Sequence, residues 1–219
     1  MATTSCPFKP LLKCLVENGP TVIGNKITVV GEKCSGMFGQ EGKGCPDRFE
    51  VVIDALGGPV EMIVIFDYSH PYSAPDIVVV RDGFSESHGE DYIDYYALES
   101  LKAWNLGDAS ALTRVVKEVM ILRTRRNLGL VKSLALPSVQ VIKEFNEMLG
   151  FAPFDIVPNV DGTVCFKYAH KLDYLKDSEC PNPVCFVSWK LDPSKPDEPT
   201  ETKVTLVSAS DAVRTALKG

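Results

Sequence analysis

Seven cysteines and three histidines hold most of the reactive side-chain chemistry open to this 219-residue chain. The cysteines are Cys6, Cys14, Cys34, Cys45, Cys165, Cys180 and Cys185, an odd set at irregular spacings with no Cys-x-x-Cys pair. Such a set predicts reduced thiols, and neither a disulfide framework nor a zinc site. The tightest pair, Cys180 and Cys185, brackets Pro-Asn-Pro-Val, with His170 the only nearby histidine. A zinc centre there would need two more ligands, so the segment reads as a surface loop. His70, His88 and His170 form no His-x-His pair of the kind a metalloprotease centre uses. A thiol protease needs Cys, His and a third group brought together in space, and a linear sequence leaves that alternative open. The glycines of Gly39-Gln40-Glu41-Gly42-Lys43-Gly44 invite a phosphate-cradle reading. A Walker element, however, needs Gly-x-x-x-x-Gly-Lys-Ser/Thr opening a helix, and here Lys43 precedes Gly44 and a strand follows Pro46. No cofactor and no metal are therefore expected.

The elements that must position these residues follow from periodicity. The length allows one large domain or two small ones, and 45% apolar with 24% charged residues is ordinary globular composition. A net charge of −6 argues against a nucleic-acid footprint. No apolar run reaches membrane-span length, and Met1 to Pro7 lacks the charged and apolar regions of a secretory signal. Phe8, Leu11, Leu12, Leu15 and Val16 form one stripe of a helix over Pro7 to Asn18, stopped by Gly19 and Pro20. Strands are expected over Thr21–Val30 and Arg48–Leu56, with a Gly-rich connection over 31–46. Phe49, Val51 and Ile53 make one face of the second strand and Glu50, Val52 and Asp54 the more polar other. Gly57-Gly58 turns the chain into a third strand. Asp108 is a candidate N-cap for a helix whose buried stripe is Leu112, Val115, Val116, Val119 and Met120. Arg123, Arg125 and Arg126 then read as cations at that helix's C-terminus. They are also candidate interaction residues, as are Tyr92, Tyr95 and Tyr96, since tyrosine suits half-wet interfaces. Gly129 to Ala135 is a soft boundary. A second helix-plus-strands run follows: a helix from Pro137 to Gly150, then strands near 154–157, 163–172, 184–191 and 203–208. Asp161-Gly162 marks a hairpin, and 190–202 is expected as a polar loop rich in proline.

One stretch organises the chain, from Val60 to Trp104. It reads as a β-branched strand, a corner Ser69-His70-Pro71-Tyr72-Ser73-Ala74-Pro75, a second strand Asp76-Ile77-Val78-Val79-Val80, and a loop closed by Leu101-Lys102-Ala103-Trp104. Neither proline can sit in a central strand. This order resembles the ubiquitin-conjugating-enzyme fold, where a Tyr-Pro-x-x-x-Pro corner joins two strands and a Trp precedes the next helix. Pro71 and Pro75 keep the spacing, His70 replaces the usual Tyr, and Tyr68 lies two residues earlier. The resemblance implies a buried Trp104. It also implies a nucleophilic cysteine beyond Pro75, after a His-Pro-Asn element, because a thiolate must carry ubiquitin as a thioester. No cysteine lies between Pro46 and Val164, and His70-Pro71 is followed by Tyr72. The implied module is a non-catalytic ubiquitin-conjugating-enzyme variant (UEV) or RWD-like domain that binds and does not transfer.

Cys45-Pro46-Asp47-Arg48-Phe49, the His70 to Asp76 corner, Leu98-Glu99-Ser100-Leu101-Lys102-Ala103-Trp104-Asn105 and Leu112 to Val119 look like the amino-terminal region of the BRE family. The ending Ala212 to Gly219 is similar to a mid-chain point in that family, so the chain is expected to lack the family's carboxyl-terminal domain. The fold implied is α+β: a UEV-like domain over 1–128, with a four-stranded antiparallel meander and flanking helices, then a partial RWD-like unit over 129–219 whose sheet is expected to keep an uncovered face or edge. The function implied is that of a non-enzymatic scaffold in linkage-specific deubiquitinase assemblies, the BRISC complex and the BRCA-A DNA-damage complex. Implied partners are a metalloprotease-type catalytic subunit, its scaffold and an adaptor, with polyubiquitin a further candidate and neither nucleic acid nor membrane among them. The implied location is cytoplasmic and nuclear. A free-standing UEV module binding ubiquitin or a peptide is the alternative.

Overall fold

A computed structural model describes residues 6–34, 45–82, 97–133, 155–159, 163–171, 184–192 and 195–208. The chain divides into two compact units, Met1–Met120 and Ile121–Gly219.

The first unit opens with α1 (Lys9–Ile23). Leu11, Leu12 and Leu15 are buried as the stripe requires, while Val16 is 38% exposed. The expected stop at Gly19 and Pro20 does not occur. Pro20 sits inside the helix, which ends four residues later at Gly24 with φ 78°. A proline costs the helix one backbone bond, but continuing buries Ile23 to 1% exposure and lets Gly24 N–H donate to Pro20 O at 2.9 Å. Gly19 serves packing: a Cβ there would stand 2.5 Å from Ile27 Cδ1, so its absence lets α1 lie close on the first strand.

Four strands follow, β1 (Ile27–Lys33), β2 (Arg48–Ala55), β3 (Gly58–Ile65) and β4 (Asp76–Asp82). They form one sheet in the order β1-β2-β3-β4, every pair antiparallel. The β2–β3 ladder runs unbroken from Arg48↔Ile65 to Ala55↔Gly58. Gly57 and Gly58 at its turn have φ of 79° and 128°, which side chains with a Cβ rarely adopt. Alternation sorts β2 as the pattern demands: Phe49, Val51 and Ile53 are buried, Glu50 and Val52 are half-buried and Asp54 is exposed. β1 starts later than expected because α1 takes up residues 21–23, and it runs through Gly31 to Lys33 with a bulge between Val29 and Gly31. Lys33 pairs with Glu50 across that edge.

After a one-turn helix α2 (Glu99–Lys102), the long helix α3 (Ala111–Ser133) begins. Its expected stripe is buried in full: Leu112, Val115, Val116, Val119 and Met120 are each at most 5% exposed. Thr113 Oγ1 lies 3.9 Å from Cys14 Sγ of α1. α3 continues through Gly129, so Arg123, Arg125 and Arg126 lie in its interior and do not complement a C-terminus.

In the second unit, β5 (Asp155–Pro158), β6 (Val164–Lys171), β7 (Val184–Asp192) and β8 (Lys195–Ser208) form another antiparallel sheet in sequence order. Ile156, Val164, Phe166, Tyr168 and Leu191 make its core, with Leu128 and Trp189 packed against it. Burial pushes the Tyr168 hydroxyl up to about 12. The polar loop expected over 190–202 is instead the end of β7 and the first half of β8. Pro196 and Pro199 are tolerated because, among the described residues, β8 is an edge strand with β7 as its one neighbour. The helix expected from Pro137 to Gly150, the Asp161-Gly162 turn, and Tyr92, Tyr95 and Tyr96 lie outside the described residues.

Candidate functional site

The proline corner is built from the backbone outward. Asp67 Oδ1 accepts the N–H groups of Ser69 at 2.8 Å and His70 at 3.2 Å, an Asx turn that starts the bend. His70 Nδ1 lies 2.9 Å from Asp67 Oδ2. The His70 side chain, followed by the Ser69 and His70 N–H groups, holds the Asp67 carboxyl below its usual range against partial desolvation. Ser73 N–H then donates to His70 O at 2.9 Å, and Pro75 is buried where β4 begins. Both prolines thus sit in the connection between β3 and β4 and not within a strand.

Behind the corner runs an aromatic group. Phe8 stacks on Phe66 at 4.2 Å and 8°, and Tyr68 meets Phe8 edge-on at 6.3 Å. Phe49 meets Phe66 edge-on at 5.8 Å, and Trp104 closes the group at 6.1 Å from Phe66. Tyr68 and Trp104 therefore meet through Phe66 and Phe8, while His70 is exposed and Pro71 half-buried. The sequence expects Trp104 to be buried; it is half-buried, with its indole nitrogen out of solvent contact.

One residue of this arrangement left no signal in the sequence. Glu118, on α3, accepts the N–H of Glu99 at 3.0 Å, the N–H of Ser100 at 2.9 Å and the Ser100 hydroxyl at 2.5 Å. Desolvation raises its carboxyl, but the Ser100 and Glu99 bonds outweigh that and leave it below its ordinary value. A glutamate on the polar side of an amphipathic helix looks solvated in sequence; here it receives the start of α2. With Leu98 buried to 1%, it anchors the start of the Leu98 to Trp104 segment. Asp108 is not the N-cap the sequence suggests: α3 starts at Ala111, so Ser110 holds the cap position, and Asp108 lies two residues before it. Its Oδ1 accepts from Ser110 N–H at 2.9 Å and Ser110 Oγ at 2.7 Å, and Arg114 Nη1 donates to Oδ2 at 2.6 Å, so it orders the turn that leads into the helix.

The arginines separate. Arg123 is 2% exposed and donates from Nη1 to Asp155 Oδ1 at 2.7 Å, so it ties α3 to β5 and offers no charge to a surface partner. Asn127 Nδ2 extends that link to Ile156 O at 2.9 Å. Arg126 is half-buried and Arg125 exposed.

The cysteine expectation needs correction. Cys6 and Cys45 are joined in a disulfide across 39 residues, a long-range pairing that counts and spacings do not reveal. Cys14, Cys34, Cys165 and Cys185 are free. Cys185 is buried, and that burial raises its thiol above the ordinary value and weakens it as a nucleophile. Among the described residues no three His, Cys, Asp or Glu side chains could hold a metal ion, and no helix is long and apolar enough to cross a membrane.

At the corner, Tyr72 is 81% exposed on the turn, and Val78 and Val80 are exposed at 44% and 59% on β4. The family described as Brain and reproductive organ-expressed protein (BRE) has a model that matches residues 3–149, more than half of the chain.

Proposed function

The chain belongs to the BRE family, and on that footing we propose that it is a non-catalytic scaffold subunit of a linkage-specific deubiquitinase complex of the BRISC or BRCA-A type. The first unit is its UEV-like module and the second an RWD-like one. The observation that carries the reading is the family match over 3–149, which spans the corner, Trp104 and α3. The chemistry supports it: a conjugating enzyme needs a thiol beyond the corner, and no cysteine lies between Pro46 and Val164. The partners are a metalloprotease-type catalytic subunit, its scaffold and an adaptor, and the setting is cytoplasmic and nuclear ubiquitin signalling, including the response to DNA damage. Arg125, Arg126, Tyr92, Tyr95 and Tyr96 are the proposed contact residues.

The test is a pull-down from cell extract with the 219-residue chain as bait, assayed for cleavage of linkage-defined polyubiquitin. The reading expects an eluate that cleaves a subset of linkages and loses this activity to a zinc chelator. An eluate without chelator-sensitive cleavage overturns it. A second reading, direct binding of ubiquitin or a peptide by a free-standing UEV module, draws on the exposed Tyr72, Val78 and Val80. It predicts saturable binding of purified ubiquitin or peptide by the chain alone.

A further inference from the structure

Three cysteines converge where α1, β1 and β2 begin or end. Cys6 precedes α1 and is bonded to Cys45, just before β2. Cys34 directly follows β1, and its Sγ lies 3.4 Å from the carbonyl oxygen of Cys45. The β1–β2 ladder holds it there, because Lys33 pairs with Arg48 and Asp47 N–H donates to Lys33 O at 3.1 Å. Cys34 is free and exposed, whereas Cys6 is 7% exposed. An accessible thiol thus stands against the backbone of Cys45, the half of the disulfide whose partner, Cys6, is buried. We propose that Cys34 is the exchange partner of the Cys6–Cys45 disulfide, so that these three residues form a redox site in which Cys45 is shared between two bridges.

The exchange balances without an outside oxidant. The Cys34 thiolate attacks Cys45 Sγ, the Cys34–Cys45 bond forms, the Cys45–Cys6 bond breaks, and Cys6 leaves as a thiolate that takes up the proton Cys34 lost. The number of disulfides stays at one. What changes is the element that is stapled. Cys6–Cys45 ties the entrance of α1 to the start of β2, whereas Cys34–Cys45 closes only the connection between β1 and β2. Exchange therefore releases the first turn of α1, where Lys9 N–H contacts Cys6 O at 3.3 Å, while leaving the sheet ladder in place. In a reducing compartment, disulfides of this kind are transient and redox-sensing, which suits a bridge with a built-in exchange thiol.

The measurement is disulfide mapping of the full chain. Trypsin places Cys6, Cys34 and Cys45 on separate peptides, 1–13, 34–43 and 44–48. The oxidised protein is held at about pH 7 or about pH 8.5, where more thiolate is present, then acid-quenched, alkylated and digested. The proposal expects the 1–13/44–48 linkage to dominate at the lower pH and the 34–43/44–48 linkage to rise at the higher. Cys34→Ser should lose the second linkage completely and keep the first. Cys6→Ser, treated with oxidised glutathione, should shift Cys45 onto Cys34. Because the wild-type and Cys34→Ser arms keep the native bridge, the result does not depend on how well Cys6→Ser folds. A wild-type chain showing 1–13/44–48 alone at both pH values, with Cys34 fully alkylated, overturns the proposal.

Discussion

Trp104 and Arg123 hold their surroundings by different physics, and each can be tested alone. Trp104 closes the aromatic group at Phe66, so Trp104→Ala removes ring packing that nothing else in the corner replaces. Large-to-small changes of buried aromatics cost ~3–5 kcal/mol. The indole here is half-buried, which places the expected loss at the lower end, about 3 kcal/mol. Denaturant unfolding reads this directly, and an unchanged midpoint would show that the tryptophan does not pin the loop. Arg123 and Asp155 are a buried ion pair, 2% and 1% exposed at the side chain. Removing one member takes the bonded guanidinium away from a buried carboxylate, so Arg123→Ala should cost about 3–5 kcal/mol. Replacing both with apolar residues, Arg123→Met with Asp155→Leu, should recover most of that loss. If the double variant is no more stable than Arg123→Ala, charge desolvation is not what the pair manages.

Elements were legible where one local rule governed them and obscure where tertiary context overrode it. The β2–β3 hairpin follows from alternation and Gly57-Gly58, and the buried face of α3 follows from helical spacing. α1 ran past Pro20 because burial of Ile23 and the Gly24 cap outweigh one missing backbone bond. The first half of β8 reads as a loop because its prolines signal irregularity, and its place at the edge of the described sheet permits them. Its register jumps from Leu191↔Pro199 to Asp192↔Lys195, which bulges residues 196–198 out of the ladder. Hydrogen exchange should therefore be faster at Asp197 and Glu198 than at Phe166 in β6; equal protection would mean the bulge is closed. The start of α3 gives a pH test. Ser110's hydroxyl, then Arg114 and the Ser110 N–H, hold the Asp108 carboxyl at about 2, below its ordinary 3.8. A carboxyl depressed in the folded state stabilises that state above its unfolded value, and the contribution fades as pH falls through the folded value. The stability gap between wild type and Asp108→Asn should thus narrow between about pH 4 and about pH 2. A gap that stays constant across that window would remove Asp108 from the account of the helix start.

For the whole molecule, family and fold class were readable from short motifs because the corner, the Leu98 to Trp104 loop and the α3 stripe each carry local signals. The partners within the fold were less readable. Cys6–Cys45, Arg123–Asp155 and Glu118 with Ser100 join residues 39, 32 and 18 apart, and no periodicity announces such pairs. The function proposed for this member of the BRE family is assembly without ubiquitin transfer. The most direct measurement incubates the purified chain with activating enzyme, ubiquitin and ATP, then resolves it with and without reductant. The account predicts no ubiquitin adduct in either lane. An adduct that forms without reductant, disappears with it and is lost on substituting a single cysteine would contradict the account, because it would place a working thioester nucleophile on the chain.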